Sequence, residues 1–219
     1  MSALHLSDLL RRDVSSDPVI TGVTADSRKV SPGALFVALP GTAADGRAFI
    51  PQALAQGAAA VLAPTDTPDG AAPVLVTSGD VRRAYAIAAR GFYGAQPKTC
   101  VAVTGTNGKT SVATFCRQIW AGIGHKSASM GTLGVIGQKG VKTYALTGPG
   151  LTSPDAAEAA RLMAELAAKD VTHVALEASS HGIDQRRLDG VALKAAAFTN
   201  LTQDHLDYHG TMADYRSAK

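Results

Sequence analysis

Charge, aromatic residues and cysteine are all scarce in this sequence. Charged side chains are 18% of the 219 residues and aromatic ones 5%. The 21 basic and 18 acidic residues leave a formal net charge of +3, and no block of about five or six like charges occurs. That excludes a polybasic stripe for nucleic acid or an anionic membrane surface. The two cysteines, Cys100 and Cys116, have no metal-type spacing and sit in apolar stretches, so they read as buried free thiols. No apolar run approaches the about 20 residues of a membrane helix. The opening MSALHLSDLLRRD carries Leu4, Leu9 and Leu10 but no long apolar core and no cleavage signal. It reads as a short amphipathic helix and not as a secretory peptide. These absences together lead us to expect a cytoplasmic protein.

What remains is rich in small and aliphatic residues: 46% hydrophobic, with 22 glycines. This profile suits a folded α/β chain of one large or two smaller domains and argues against disorder. From about Val19 to Thr77 short apolar runs alternate with Gly, Pro and Asp. Ala34 to Leu39, Ala59 to Ala63 and Val74 to Thr77 read as strands. Ala48 to Gln56 suits a helix stopped by Gly57, and Asp80 an N-cap for a helix reaching about Phe92. Gly91 to Lys98 breaks the pattern with two glycines and a proline, which places a domain boundary there: residues 1–95, then 96–219.

Beyond the boundary the order becomes strand, loop, helix. Thr99 to Thr104 is continuously apolar in character, as in a parallel strand buried on both faces. Gly105 to Lys109 is a loop, and Thr110 to about Gly122 a helix. A helix from Pro154 to about Ala168 precedes the strand His173 to Glu177. A third strand, Ala195 to Thr199, leads into a polar cluster, Asn200 to His209. This alternation predicts a doubly wound parallel sheet with ligands at the carboxyl ends of its strands. The chain stops at Tyr215 to Lys219 in what reads as the opening of a helix, so we expect a longer natural sequence.

VTGTNGKTS, Val103 to Ser111, lies where that sheet would bind a ligand. Gly105 and Gly108 permit backbone conformations that turn consecutive N–H groups into one concavity, and the next helix adds its positive end. Lys109 can reach terminal phosphates and the Thr110 hydroxyl can ligate Mg²⁺. Val103 stands where the strict G-x-x-x-x-G-K-[ST] pattern has its first glycine. Taken by itself, then, the motif says only that a nucleotide is bound.

TGTNGKT in this form resembles the ATP loop of the Mur ligases and of the related folylpolyglutamate synthetases. Asp26 to Ala63 (DSRKVSPGALFVALPGTAADGRAFIPQALAQGAAAVLA), Leu176 to Val191 (LEASSHGIDQRRLDGV) and Phe198 to Lys219 (FTNLTQDHLDYHGTMADYRSAK) resemble the Mur branch that adds the third amino acid to the muramoyl peptide. The four segments span nearly the whole chain in the family's order.

The resemblance implies three domains: a small mixed α/β UDP-binding domain, a P-loop doubly wound domain, and a third domain absent here, the second being incomplete. It implies a cytoplasmic, monomeric ATP-dependent amide ligase of peptidoglycan synthesis. Its partners would be UDP-N-acetylmuramoyl-dipeptide and an amino acid, meso-diaminopimelate or L-lysine, with ATP and Mg²⁺ as cofactors. ATP binding falls to Gly105, Thr106, Asn107, Gly108, Lys109, Thr110 and Ser111. The uridine diphosphate end falls to Ala25, Ser27, Thr42, Ala43 and Ala44. From the residues alone, Ser27 and Thr42 can also be read as ordinary turn residues, and Asp26, Arg28, Asp45 and Arg47 as structural ion pairs and not ligands. Thr152 and Ser153 match positions against the sugar-peptide, although Ser153 could equally cap the helix opened by Pro154. Ser179, Gln185 and Arg187 match further substrate positions, and the Arg187 fork suits an anionic group. Glu177, His205 and Thr110 are implied Mg²⁺ ligands. Lys219 matches a lysine that the family carbamylates into a carboxylate-like ligand; by composition alone it is a surface lysine. Lys109 and Lys219 are the implied catalytic pair.

Overall fold

The computed structural model describes residues 3–41, 44–147 and 154–219. Thr42, Ala43, Thr152 and Ser153 lie outside the described residues. The chain forms two units, Met1–Gly94 and Ala95–Lys219.

In the first unit α1 (Leu6–Leu10) precedes β1 (Gly22–Thr24) and β2 (Ala34–Val37). A 3-10 turn, Gly46–Phe49, runs into α2 (Ile50–Ala55). β3 (Ala60–Pro64), β4 (Leu75–Ser78) and α3 (Val81–Tyr93) follow. The four strands pair in the order β1-β2-β3-β4, all parallel. Three-residue β1 is too short to show any period and so is not recognisable from the sequence. The helix read from Ala48 splits in two because Pro51 in its first turn has no N–H to donate, so Asp45 caps a separate 3-10 turn. Asp80 caps α3 as its residue type suggests, accepting from the Arg83 N–H at 3.0 Å. Phe36, Val61, Ile50 and Ala53 close the core.

The second unit opens with β5 (Thr99–Thr104) and α4 (Lys109–Gly122). β6 (Ser127–Gly131), β7 (Gly134–Lys139) and β8 (Lys142–Thr147) come next, then α5 (Ala156–Ala168) and β9 (His173–Glu177). α6 (Ser180–Asp184), β10 (Leu193–Phe198), α7 (Leu206–His209) and α8 (Met212–Ala218) complete it. The sheet order is β10-β5-β9-β6-β7-β8, parallel from β10 to β6. β7 and β8 add an antiparallel meander at one side. Sequence reading missed it because Gly131, Gly134 and Gly137 interrupt any alternation. A Cβ at Gly137 would fall on the far end of the Tyr144 ring, so the glycine leaves room for that ring where it lies.

Opposite faces of β6 meet different helices. Ala128 and Met130 join Leu162, Met163 and Leu166 of α5 in one core, whereas Ser127 and Ser129 bond Arg117 of α4. Alternate residues of a strand point to opposite sides, so α4 and α5 cover the two faces, as double winding requires. The N-cap of α5 is Asp155, which accepts from the Glu158 N–H at 3.0 Å, and this corrects the alternative that gave the role to Ser153. Cys100 is a buried free thiol and Cys116 a half-buried one. Among the described residues no helix is long and apolar enough to cross a membrane.

Candidate functional site

β5, the second strand in from the β10 edge, delivers the loop 105–108 to the carboxyl edge of the sheet, and α4 leaves from it. Gly105 at φ 134° and Gly108 at φ 84° occupy backbone regions that disfavour other residues. Gly105 is doubly constrained, because a Cβ there would overlap the Thr199 hydroxyl. The segment after β10 braces the loop. Thr106 N–H donates to the Asn200 carbonyl at 2.9 Å, and Asn107 N–H to Asn200 Oδ1 at 3.1 Å. Thr199 Oγ1 donates to the Asn107 carbonyl at 2.6 Å. Thr106 Oγ1 accepts from Thr202 N–H at 2.9 Å and stands 3.2 Å from the hydroxyl of fully buried Tyr215. The N–H groups of Thr106 and Asn107 therefore serve the brace. α4, by contrast, opens at Gly108 with no side-chain cap, so the first-turn N–H groups of Lys109, Thr110 and Ser111 sit at the positive end of the helix.

Lys109 folds back over the loop, donating through Nζ to the carbonyls of Gly105 at 2.9 Å and Thr106 at 2.8 Å. Lys219, at the end of α8, donates to the same Gly105 oxygen at 2.8 Å, its Nζ 4.7 Å from the Tyr215 ring centroid. Burial lowers the pKa of Lys109, and the neighbouring Lys219 charge lowers it further. Burial also lowers that of Lys219, against the opposing pull of Asp204.

Across the loop stands Glu177, the last residue of β9, 4% exposed. Its Oε2 accepts from Thr110 Oγ1 at 2.9 Å and Thr132 Oγ1 at 3.2 Å, and its Oε1 from Thr132 N–H at 3.0 Å. A buried carboxylate is costly unless so bonded. Thr110 and Glu177 thus place two hard oxygen donors at the head of α4, a donor set that fits Mg²⁺. His205 stands in a different group. It has φ 52° at the start of α7, lies 3.4 Å from Asp204, and meets the His181 ring edge-on at 5.0 Å. The His181 ring is in turn 4.0 Å from that of Tyr208, and burial lowers the His181 pKa. Among the described residues no group of three or more His, Cys, Asp or Glu is placed to hold a metal ion.

The substrate candidates divide. Ser179 caps α6, its Oγ accepting from Gly182 N–H at 3.0 Å. Gln185 Oε1 holds the Arg187 guanidinium at 2.7 Å, presenting the two as one polar pair. In the first unit Ser27 Oγ donates to Gln52 at 2.9 Å inside the fold. Ala25 is half-buried beside it and Ala44 is exposed. Asp26 pairs with Arg28, and Arg47 with Asp45 and Asp66. Sequence reading missed Thr132, Gly131, Thr199 and the brace role of Tyr215. None of these lies in the polar cluster Asn200 to His209 that the sequence marked.

The chain matches the family model described as Mur ligase middle domain over residues 103–219, and that described as Mur ligase family, catalytic domain, over residues 19–93. It is 64% identical over 216 residues to the UDP-N-acetylmuramoyl-L-alanyl-D-glutamate--2,6-diaminopimelate ligase of Caulobacter vibrioides, covering 98% of this chain and 44% of that protein. A solved structure of a ligase with the same name superposes with a TM-score of 0.84 at 30% identity, over 99% of this chain and 44% of the other. MurF ligase from Thermotoga maritima in complex with ADP shares the fold, with a TM-score of 0.55 at 21% identity over 90% of this chain and 41% of its own. The chain thus spans less than half the length of the proteins it matches.

Proposed function

Because the chain belongs to the Mur ligase family, we propose that it is the UDP-substrate-binding and ATP-binding part of a ligase of peptidoglycan synthesis. The whole ligase adds meso-diaminopimelate to UDP-N-acetylmuramoyl-L-alanyl-D-glutamate in the cytoplasm, as a monomer. Residues 1–95 hold the uridine diphosphate end through the neighbourhoods of Ala25, Ser27 and 42–44; residues 96–219 hold ATP. In the second unit Thr152, Ser153, Ser179, Gln185 and Arg187 receive the sugar-peptide. The observation that carries this reading is the arrangement around Thr110. Its hydroxyl stands 2.9 Å from Glu177 at the uncapped head of α4, one residue from Lys109.

The first-turn N–H groups of α4 and Lys109 bind the β- and γ-phosphates, where negative charge gathers as the phosphoryl group is transferred. The D-Glu side-chain carboxylate attacks the γ-phosphorus and ADP leaves. An amine of diaminopimelate then attacks the acyl phosphate, loses a proton, and expels phosphate as the amide forms. Holding both substrates at one activated carbonyl supplies much of the rate. Mg²⁺ needs only one or two protein carboxylates when phosphate oxygens and water complete its shell. Glu177 would supply the carboxylate and Thr110 a hydroxyl oxygen, and the family resemblance would bring His205 and a carbamylated Lys219 from their neighbouring group to the ion as further ligands. When bound, the ion neutralises charge on the phosphates. The depressed pKa of Lys219 favours the neutral amine that adds to CO₂, releasing a proton. The carbamate so formed turns its repulsion of Lys109 into attraction.

Phosphate release is the test. A polypeptide of the relatives' full length should release phosphate from ATP only when UDP-muramoyl-dipeptide and diaminopimelate are both present. The 219-residue chain should bind UDP-muramoyl-dipeptide in calorimetry and release none. Release by the long polypeptide that is indifferent to the dipeptide would sink the proposal.

A further inference from the structure

Thr132 follows β6 in the two-residue turn between Gly131 and Gly134, which pair across the hairpin. It is exposed and belongs neither to the phosphate loop nor to the strand that carries Glu177. Yet it touches both carboxylate oxygens: its N–H donates to Oε1 at 3.0 Å and its hydroxyl to Oε2 at 3.2 Å. Gly131, just before it, makes this approach possible, because a Cβ there would occupy the place of the Glu177 carboxylate. We infer that Thr132 is a positioning residue, clamping the Glu177 carboxylate toward Thr110 so that the pair is set for a cation before one arrives.

Glutamate has three rotatable side-chain bonds, and Glu177 ends its strand, so β9 alone does not fix where the carboxylate points. Thr110 holds Oε2 from one side, through a single hydroxyl. Thr132 holds from the other side, with a backbone donor as well as a hydroxyl. The hairpin behind it is itself tied to α4. Buried Arg117 donates to Ser129 Oγ on β6 at 3.1 Å and to Gln138 Oε1 on β7 at 2.6 Å. The turn therefore keeps register with the helix that carries Lys109 and Thr110. Groups that orient a metal ligand affect affinity for the ion more than the fold around it.

This inference rests on the proposed reading of Glu177 as a cation ligand, and the test separates the two. Thr132→Val keeps the β-branched shape and the N–H but removes the hydroxyl; Thr132→Ser restores it. Calorimetry of ATP binding to the 219-residue chain, with and without Mg²⁺, should show Mg²⁺ dependence weakened by about 10- to 100-fold in the valine variant. Binding of ATP without metal should be unchanged, and the serine variant should stay close to wild type. Equal Mg²⁺ dependence in wild type and valine variant overturns the inference. So does an equal loss of ATP binding with and without metal, which is what a merely structural residue gives. A crystal structure of the metal-free valine variant decides independently of nucleotide. With Oε2 released by Thr132 and Oε1 still held by its N–H, the carboxylate should turn about that remaining bond so that the Oε2–Thr110 distance lengthens beyond 2.9 Å; an Oε2 that keeps its place contradicts the clamp. Should the wild type itself show no Mg²⁺ dependence, it is the proposed function that fails, and the crystal structure still decides the clamp.

Discussion

Lys109 and Lys219 share one acceptor: the Nζ of each donates to the Gly105 carbonyl oxygen, at 2.9 and 2.8 Å. Two ammonium groups on one oxygen repel each other, and the Lys219 charge is the second cause, after burial, of the lowered Lys109 pKa. In the chain whose Lys219 is not carbamylated, Lys219→Ala removes that cation. The Lys109 pKa should therefore rise, while staying below 10.5 because burial persists. An NMR titration of the Lys109 side chain reads this directly; an unchanged pKa would mean that the two charges are not in contact.

Tyr215 is fully buried and stands 3.2 Å from Thr106 Oγ1, itself bonded to the main chain of Thr202. Tyr215→Phe removes one hydroxyl from this brace and nothing from the packing. The expected cost is about 1 kcal/mol in urea unfolding, accompanied by weaker ATP binding as the loop loosens. Loss of stability with ATP affinity unaltered would show that the brace serves the fold alone.

His173 opens β9 with its ring stacked on His125 at 4.0 Å and with Lys98 nearby. Burial, then His125, then Lys98 lower its pKa below the ordinary 6.5. Between the lowered value and 6.5 the unfolded chain binds more protons than the folded one, so stability must rise with pH there. The contribution is complete above 6.5 and lost as pH falls through the folded value. The urea midpoint should accordingly drop between about pH 7.5 and pH 5. In His173→Gln that drop should be smaller, with His181, whose pKa is also lowered, supplying part of the remainder. Identical pH profiles would contradict the assignment.

Much of this was legible in the sequence because it is local. The continuous apolar run of β5 and the loop after it, the Asp80 cap and the carboxylate ending HVALE each declare themselves within a few residues. What was not legible depends on contacts distant along the chain. Thr132 and Glu177 are 45 positions apart and Thr106 and Tyr215 109, and neither partner announces the other. The β6–β7–β8 meander escaped for a related reason: its glycines make room for Glu177 and Tyr144 and so erase the alternation by which a strand is recognised. Likewise the loop's N–H groups could be counted from the sequence, but not that Asn200 takes two of them.

The central claim is that the head of α4, with Lys109, holds the phosphates of Mg-ATP. Calorimetric titration of Mg-ATP into the 219-residue chain and its Lys109→Ala variant, both checked for folding by circular dichroism, tests it most directly. The wild type should bind saturably, and the variant should lose Mg-ATP binding while UDP-muramoyl-dipeptide still binds. Equal Mg-ATP affinity in the two chains would contradict it.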